Sequence, residues 1–220
     1  MDSLDVKIND LRIKIFHFNF IQVNTYILYD EKKEAIIIDP GNYNALENCT
    51  LHDFIDNNGL MVKFAINTHP HIDHIFGNNF CQQTLRMPVL MHEAGTEIYG
   101  QADEYCATMP FQRPPFPAPD RLVKEGEVLT FGHQALRVIY TPGHCDGSIC
   151  LYDEKNKLVF TGDLLFEESI GRTDLPSGSY EMILKSIHDK IMTLPDAVIV
   201  YSGHGDATTI GHERKHNPYL

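Results

Sequence analysis

No apolar run in the 220-residue sequence approaches the ~20 residues of a membrane span. Met1 to Asp10 is polar and acidic, where a secretory signal would be basic and then apolar. A soluble, cytoplasmic protein with no membrane partner is expected. A basic face is missing too: 18 Lys and Arg stand against 30 Asp and Glu, a formal net charge of -12, which argues against nucleic acid as a partner. Cysteine is scarce and unpatterned. Cys49, Cys81, Cys106, Cys145 and Cys150 are odd in number with no CxxC spacing, so reduced, buried thiols are expected and a disulfide framework is not. Charged residues at 22% and hydrophobic ones at 43% require no long disordered stretch, and the length suits one domain over residues 1–220.

Histidine is what the sequence has, and three of its twelve fall in Thr68-His69-Pro70-His71-Ile72-Asp73-His74, directly behind an apolar, strand-like run from Met61 to Asn67. In an extended segment His69 and His71 point to one side. Asp73 and His74, starting a new turn, diverge and can reach a second ion. Further donors arrive singly, each at the end of a predicted strand and beside glycine: His144 in Thr141-Pro142-Gly143-His144, Asp163 in Phe160-Thr161-Gly162-Asp163, and His204 in Tyr201-Ser202-Gly203-His204-Gly205. Glycine lets the backbone turn sharply and approach an ion with no Cβ in the way. Together these residues are enough for two metal ions. Five neutral imidazoles and two carboxylates around two divalent ions leave a local charge of about +2, an anion trap inside an acidic molecule.

The remaining pattern is mixed. Strands are predicted over Arg12 to Phe18, Gln22 to Tyr29 and Glu34 to Asp39, then a helix through Leu46, Leu51, Phe54 and Ile55 that stops at Asn57-Asn58-Gly59. A helix-strand pair ends near Met91, Glu93 to Cys106 reads as helix, and five prolines from Pro110 to Pro119 forbid regular structure. Further strands are predicted near Val128 to Phe131, Ala135 to Thr141, Ser148 to Tyr152, Lys157 to Thr161 and Ala197 to Tyr201. Ser179 is placed to cap a helix whose Tyr180, Ile183, Leu184, Ile187 and Ile191 form one core-facing stripe. Such an order suits two facing sheets with helices on their outer faces.

The HxHxDH motif, followed by His144, Asp163 and His204 in that order, closely resembles the metallo-β-lactamase superfamily. The resemblance runs from Asn24-Thr25-Tyr26 and Asp39-Pro40-Gly41 through Gly171-Arg172-Thr173-Asp174 to Glu213-Arg214, nearly the whole chain, and is strongest to short glyoxalase II-type proteins. It implies an α/β fold of the αββα sandwich type, with the metal cleft at one end. It further implies that His69, His71 and His144 hold one metal and Asp73, His74 and His204 the other, with Asp163 bridging and Asp39 supporting the loop. Arg172 would contact an anionic part of the substrate.

The expected activity is that of a dinuclear metal-dependent hydrolase, zinc first with iron or manganese as alternatives. Its substrate would be a small anionic thioester, a hydroxyacyl thioester of glutathione or another small thiol, attacked by a metal-bound hydroxide with Asp73 orienting it or taking its proton. An alternative on the same scaffold is a persulfide dioxygenase using one iron on His69, His144 and Asp163; a non-catalytic metal-binding protein ranks below both. The literal HExxH of His212-Glu213-Arg214-Lys215-His216 reads as a decoy: no third ligand can follow it, and Asn217-Pro218 ends any helix.

Overall fold

The computed structural model describes residues 3–109 and 115–220. β-branched and alternating runs open the chain as an antiparallel meander of β1 (Ser3–Ile8), β2 (Leu11–Phe18), β3 (Val23–Tyr29) and β4 (Glu34–Ile38). β1 was not expected. Its Leu4, Val6 and Ile8 alternate with Asp5 and Lys7, a period-two pattern that the acidic composition of the segment obscures. Helix α1 (Ala45–Asn58) begins where the Asn44 side chain accepts from the Glu47 N–H and ends where Gly59 turns left-handed at φ 61°. β5 (Met61–Ile66), α2 (Ile72–Ile75), α3 (Asn78–Gln83), β6 (Val89–His92), α4 (Thr96–Ala107) and β7 (Arg121–Val123) follow, and β4 to β7 pair in parallel. Of the proline-rich loop, Pro110 to Pro114 lies outside the described residues; from Pro115 to Asp120 the chain has no regular structure.

The second sheet is built from β8 (Val128–Phe131), β9 (Gln134–Tyr140), β10 (Ile149–Asp153) and β11 (Leu158–Gly162). A small hairpin of β12 (Leu165–Phe166) and β13 (Ser169–Ile170) comes next, then α5 (Tyr180–Ser186) running into a π-helical turn at Ile187–Ile191. β14 (Ile199–Ser202) returns parallel to β11, β15 (Thr208–Thr209) pairs with β14, and α6 (Ile210–His216) closes the chain.

Three apolar clusters define the layers. Ile36, Ile38 and Phe64 of the seven-stranded sheet meet Val138, Leu151 and Phe160 of the six-stranded sheet between the two. Ala35 and Ile37, pointing the other way, pack under Leu51 and Ile55 of α1, while Cys150, Val159 and Val200 pack under Ile183, Ile187 and Ile191. A strand buried on both faces must be apolar throughout, which explains the unbroken Ala35 to Ile38 run. Each fully buried Ile or Leu contributes about 1.5–3 kcal/mol. Tyr180 departs from the predicted core stripe and is exposed: it stands in the first turn beside the Ser179 cap, and the packing begins at Ile183. Among the described residues no helix is long and apolar enough to cross a membrane.

Candidate metal centre

The seven predicted donors meet at one end of the sandwich, where loops leave β5, β9, β11 and β14. The segment after β5 bends at Thr68 and His69, is extended at His71 and turns helical at Ile72, so His69 and His71 project from the loop while Asp73 and His74 project from the first turn of α2. The loop is braced from behind. Asn67 donates its side-chain N–H to the His74 carbonyl (3.0 Å), Asn19 donates to the Asp73 carbonyl (3.0 Å), and the Ile149 N–H donates to Thr68 O (2.8 Å), joining the loop to the second sheet.

Three groups of donor atoms lie within 4.8 Å of one another: His69, His71 and His144; His69, His74 and Asp163; and Asp73, His74 and His204. Asp163 sits between the outer two. Its Oδ1 is 3.3 Å from His74 Nε2, and its Oδ2 is 3.8 Å from His144 Nε2 and 3.7 Å from His204 Nε2. Asp73 Oδ2 lies 3.2 Å from His204 Nε2 and 3.5 Å from His74 Nε2, and His71 Nδ1 lies 2.8 Å from His144 Nε2.

Hydrogen bonds on the far side of four of the five rings decide which nitrogen faces the centre. Thr68 gives its one hydroxyl proton to Asp39 Oδ2 (2.7 Å), so its oxygen accepts from His69 Nδ1–H (3.1 Å) and His69 Nε2 keeps its lone pair. His74 Nδ1–H donates to Asp39 Oδ2 (2.9 Å), and His144 Nδ1–H donates to the Arg172 carbonyl (2.8 Å). His204 Nδ1 faces Gln22 O at 3.3 Å. Asp39 is therefore the hub of the loop, itself held at φ 49° while its own carbonyl accepts from Thr25 Oγ1 (2.6 Å). The Asn24-Thr25-Tyr26 stretch thus joins two distant loops. Asn24 donates to Ser202 O and Gly205 O (3.1 and 2.9 Å), and Tyr26 donates its hydroxyl to Ser202 O (2.6 Å), latching the His204 loop onto β3.

The residues present fit metal ions. Buried His69 Nε2, His74 Nε2 and Asp163 Oδ1 have no hydrogen-bond partner among the described residues, and each such atom costs about 1–3 kcal/mol unless something satisfies it. Electrostatics divides the centre. Burial pushes His69, His144 and His71 toward the neutral, ligating form, His71 down to about 4. Burial acts in the same sense on His74, but the carboxylates of Asp73, Asp163 and Asp39 outweigh it and favour positive charge there. Burial would raise Asp163, yet His74, His204 and His144 hold it well below the usual carboxylate range. Two glycines are required for the approach. A Cβ on Gly203 would stand 2.1 Å from Asp163 Oδ1, and one on Gly162, at φ 49°, would stand 2.3 Å from Thr68 Oγ1.

A cleft of about 640 Å³ opens over these donors, with His71, Asp73, His144, Asp163 and His204 as its floor. Arg172 lines it and is its one Lys or Arg among the described residues. Its guanidinium is bidentate to Asp174, Nε to Oδ1 and Nη2 to Oδ2, both 2.7 Å. The two side chains are 62% and 67% exposed. Sequence reasoning missed most of the wall, including Ile21, Ile98, Tyr105 and Phe166; the one available signal was that α4 is apolar at Ile98, Ala102 and Tyr105 as well as at Tyr99 and Cys106. Cys145, next to His144, is buried, its thiol pushed up to about 12 by that burial, and it packs against Ser148 Oγ at 3.4 Å. The HExxH segment does fold as α6, but Glu213 turns away from its histidines into the interior, accepting from Thr208 Oγ1 and the Glu168 N–H.

A model of the metallo-beta-lactamase superfamily matches residues 18–204 of the chain. Hydroxyacylglutathione hydrolase GloC of Haemophilus influenzae is 35% identical over 96% of this chain and 98% of its own. The mitochondrial persulfide dioxygenase ETHE1 of Bos taurus is 32% identical, covering 89% of this chain and 70% of its own. Two solved structures superpose with TM-scores of 0.83. One is the BLEG-1 B3 metallo-beta-lactamase, 36% identical over 94% of this chain and 99% of that one. The other is TTHA1623 in a di-iron-bound form, 31% identical over 93% and 98%.

Proposed function

The chain belongs to the metallo-β-lactamase superfamily, and from that premise we propose that it is a dinuclear metal-dependent thioester hydrolase of the glyoxalase II type. The observation that carries the reading is the pair of donor triads, His69 with His71 and His144, and Asp73 with His74 and His204, with Asp163 lying between them. Divalent ions at such a centre supply Lewis acidity and lower the pKa of water to about 7, so that a nucleophile exists at neutral pH. Zinc is the proposed occupant.

The chain's own residues set the geometry of the reaction. Asp39, Thr68 and the Arg172 carbonyl hold His74, His69 and His144 with Nε2 turned inward. Asp73, kept ionised chiefly by His74 and His204 against its burial, offers Oδ1, the oxygen unpaired with either ring, to accept a proton. As the C–O bond forms the C–S bond breaks, giving a carboxylate and a thiolate that takes up the proton; so good a leaving group needs little acid assistance. Arg172 is proposed to meet an anionic part of the substrate. An exposed ion pair is worth little, so an incoming carboxylate can exchange with Asp174. The 35% identity to a hydroxyacylglutathione hydrolase over nearly both full lengths supports the hydroxyacyl-thiol substrate class.

Persulfide dioxygenation is the second reading, favoured by the 32% identity to the bovine enzyme. It uses His69, His144 and Asp163, whereas each of the three compact donor groups includes His71 or His74. Metal analysis of the purified protein, with parallel assays of thioester cleavage and persulfide-dependent oxygen uptake, separates the two. About two ions per chain with thioesterase activity abolished by chelation is the expected outcome; one iron per chain with oxygen uptake overturns the hydrolase.

A further inference from the structure

Above its metal-ligating floor the cleft is walled with hydrocarbon. Ile98 and Tyr105 of α4, Ile21 from the turn between β2 and β3, Phe166 of β12 and Leu175 from the loop after Arg172 all line it. α4 is apolar on two adjoining faces. Tyr99, Ala102 and Cys106 face the core beside Phe76 and Met91, and this face anchors the helix. Ile98 and Tyr105 line the cleft instead, Tyr105 with 51% of its surface exposed and Ile21, which lines it too, with 43%. Apolar area left in water forgoes about 25 cal/mol per Å², and such area gathered around a concavity marks a surface that a ligand covers.

The wall is continuous with the reacting centre. The Phe166 ring centroid is 6.4 Å from that of His204, and Ile21 precedes Gln22, whose carbonyl faces His204 Nδ1. A chain attached to a carbonyl reacting on the floor can lie along this surface, and about 640 Å³ falls within the range of sites that enclose a small ligand. We infer that the acyl group of the substrate carries a hydrocarbon tail held against Ile21, Ile98, Tyr105 and Phe166, so that the chain prefers thioesters of acyl groups longer than three carbons. This rests on the thioesterase reading above and narrows its substrate.

The test uses the metal-loaded protein and straight-chain acyl thioesters of N-acetylcysteamine, an uncharged carrier, from acetyl to octanoyl, beside lactoylglutathione. kcat/KM should rise about threefold to fourfold per methylene until the wall is covered. Straight-chain carboxylates, as competitive inhibitors of the unmodified protein, should tighten with length in parallel. Ile98→Asn and Phe166→Ser should each lower kcat/KM for the hexanoyl thioester at least fivefold more than for the acetyl one. A flat chain-length profile in both rate and inhibition, with acetyl or lactoyl thioesters cleaved well, overturns the tail and leaves the thioesterase standing. Equal losses for hexanoyl and acetyl substrates in both folded variants overturn the assignment of the wall. Failure to cleave any thioester overturns the thioesterase and the tail together.

Discussion

The floor and the wall of the cleft are built in opposite ways. On the floor, His69, His74 and His144 each have the ring nitrogen away from the centre fixed by Thr68 Oγ1, Asp39 Oδ2 or the Arg172 carbonyl, and Asp39 and His74 are almost wholly out of water. The wall is carried by surface loops and one helix face, with Ile21, Tyr105 and Arg172 exposed and the guanidinium occupied by a neighbouring carboxylate. Reaction geometry is thus over-determined and selectivity is not. Displacing a donor by an ångström means breaking buried hydrogen bonds, whereas altering the wall costs the fold little.

The floor should fail first and furthest. Asp73→Ala and His204→Ala should each cut thioester hydrolysis by orders of magnitude and drop the metal content toward one ion per chain, read by elemental analysis on protein whose circular dichroism is unchanged. Retained iron with persulfide-dependent oxygen uptake in either variant would favour the dioxygenase, which spares both residues. Gly203→Ala sets a Cβ 2.1 Å from Asp163 Oδ1 and 2.8 Å from His74 Cε1, so it should reduce activity roughly a hundredfold through misplacement of the carboxylate between the triads; wild-type rates would show that the loop simply yields. Asp39→Asn keeps the shape of the hub but removes the charge behind His74. Metal affinity measured by chelator competition should weaken about tenfold to a hundredfold.

The wall should respond more gently and more selectively. Arg172→Ala is expected to raise KM several-fold for anionic thioesters with kcat little changed, and Asp174→Asn to lower it for the same substrates by releasing the guanidinium. Neutral thioesters should be indifferent to both. Equal effects on charged and neutral substrates would show that the Arg172 side chain does not select on substrate charge.

Much of the floor was legible because its information is local. Spacing within His69 to His74 sets which side chains precede α2 and which start its first turn, and backbone geometry alone enforces that. The strand-end placement of His144, Asp163 and His204, the Asn44 and Ser179 caps and the Gly59 stop are equally short-range. Composition misled at β1, and the first turn of α5 kept Tyr180 out of the core that its spacing suggested. Other features came only with the tertiary structure. Asp39 becomes a hub because β4 lies beside β5, and Asn24 reaches Gly205 across 181 residues of sequence. The apolar wall draws Ile21, Ile98 and Phe166 from three separate segments. A residue's periodicity records which side of its own element is apolar, but not which distant element meets that side; the stacking of the two sheets decides this, and with it what the cleft can hold.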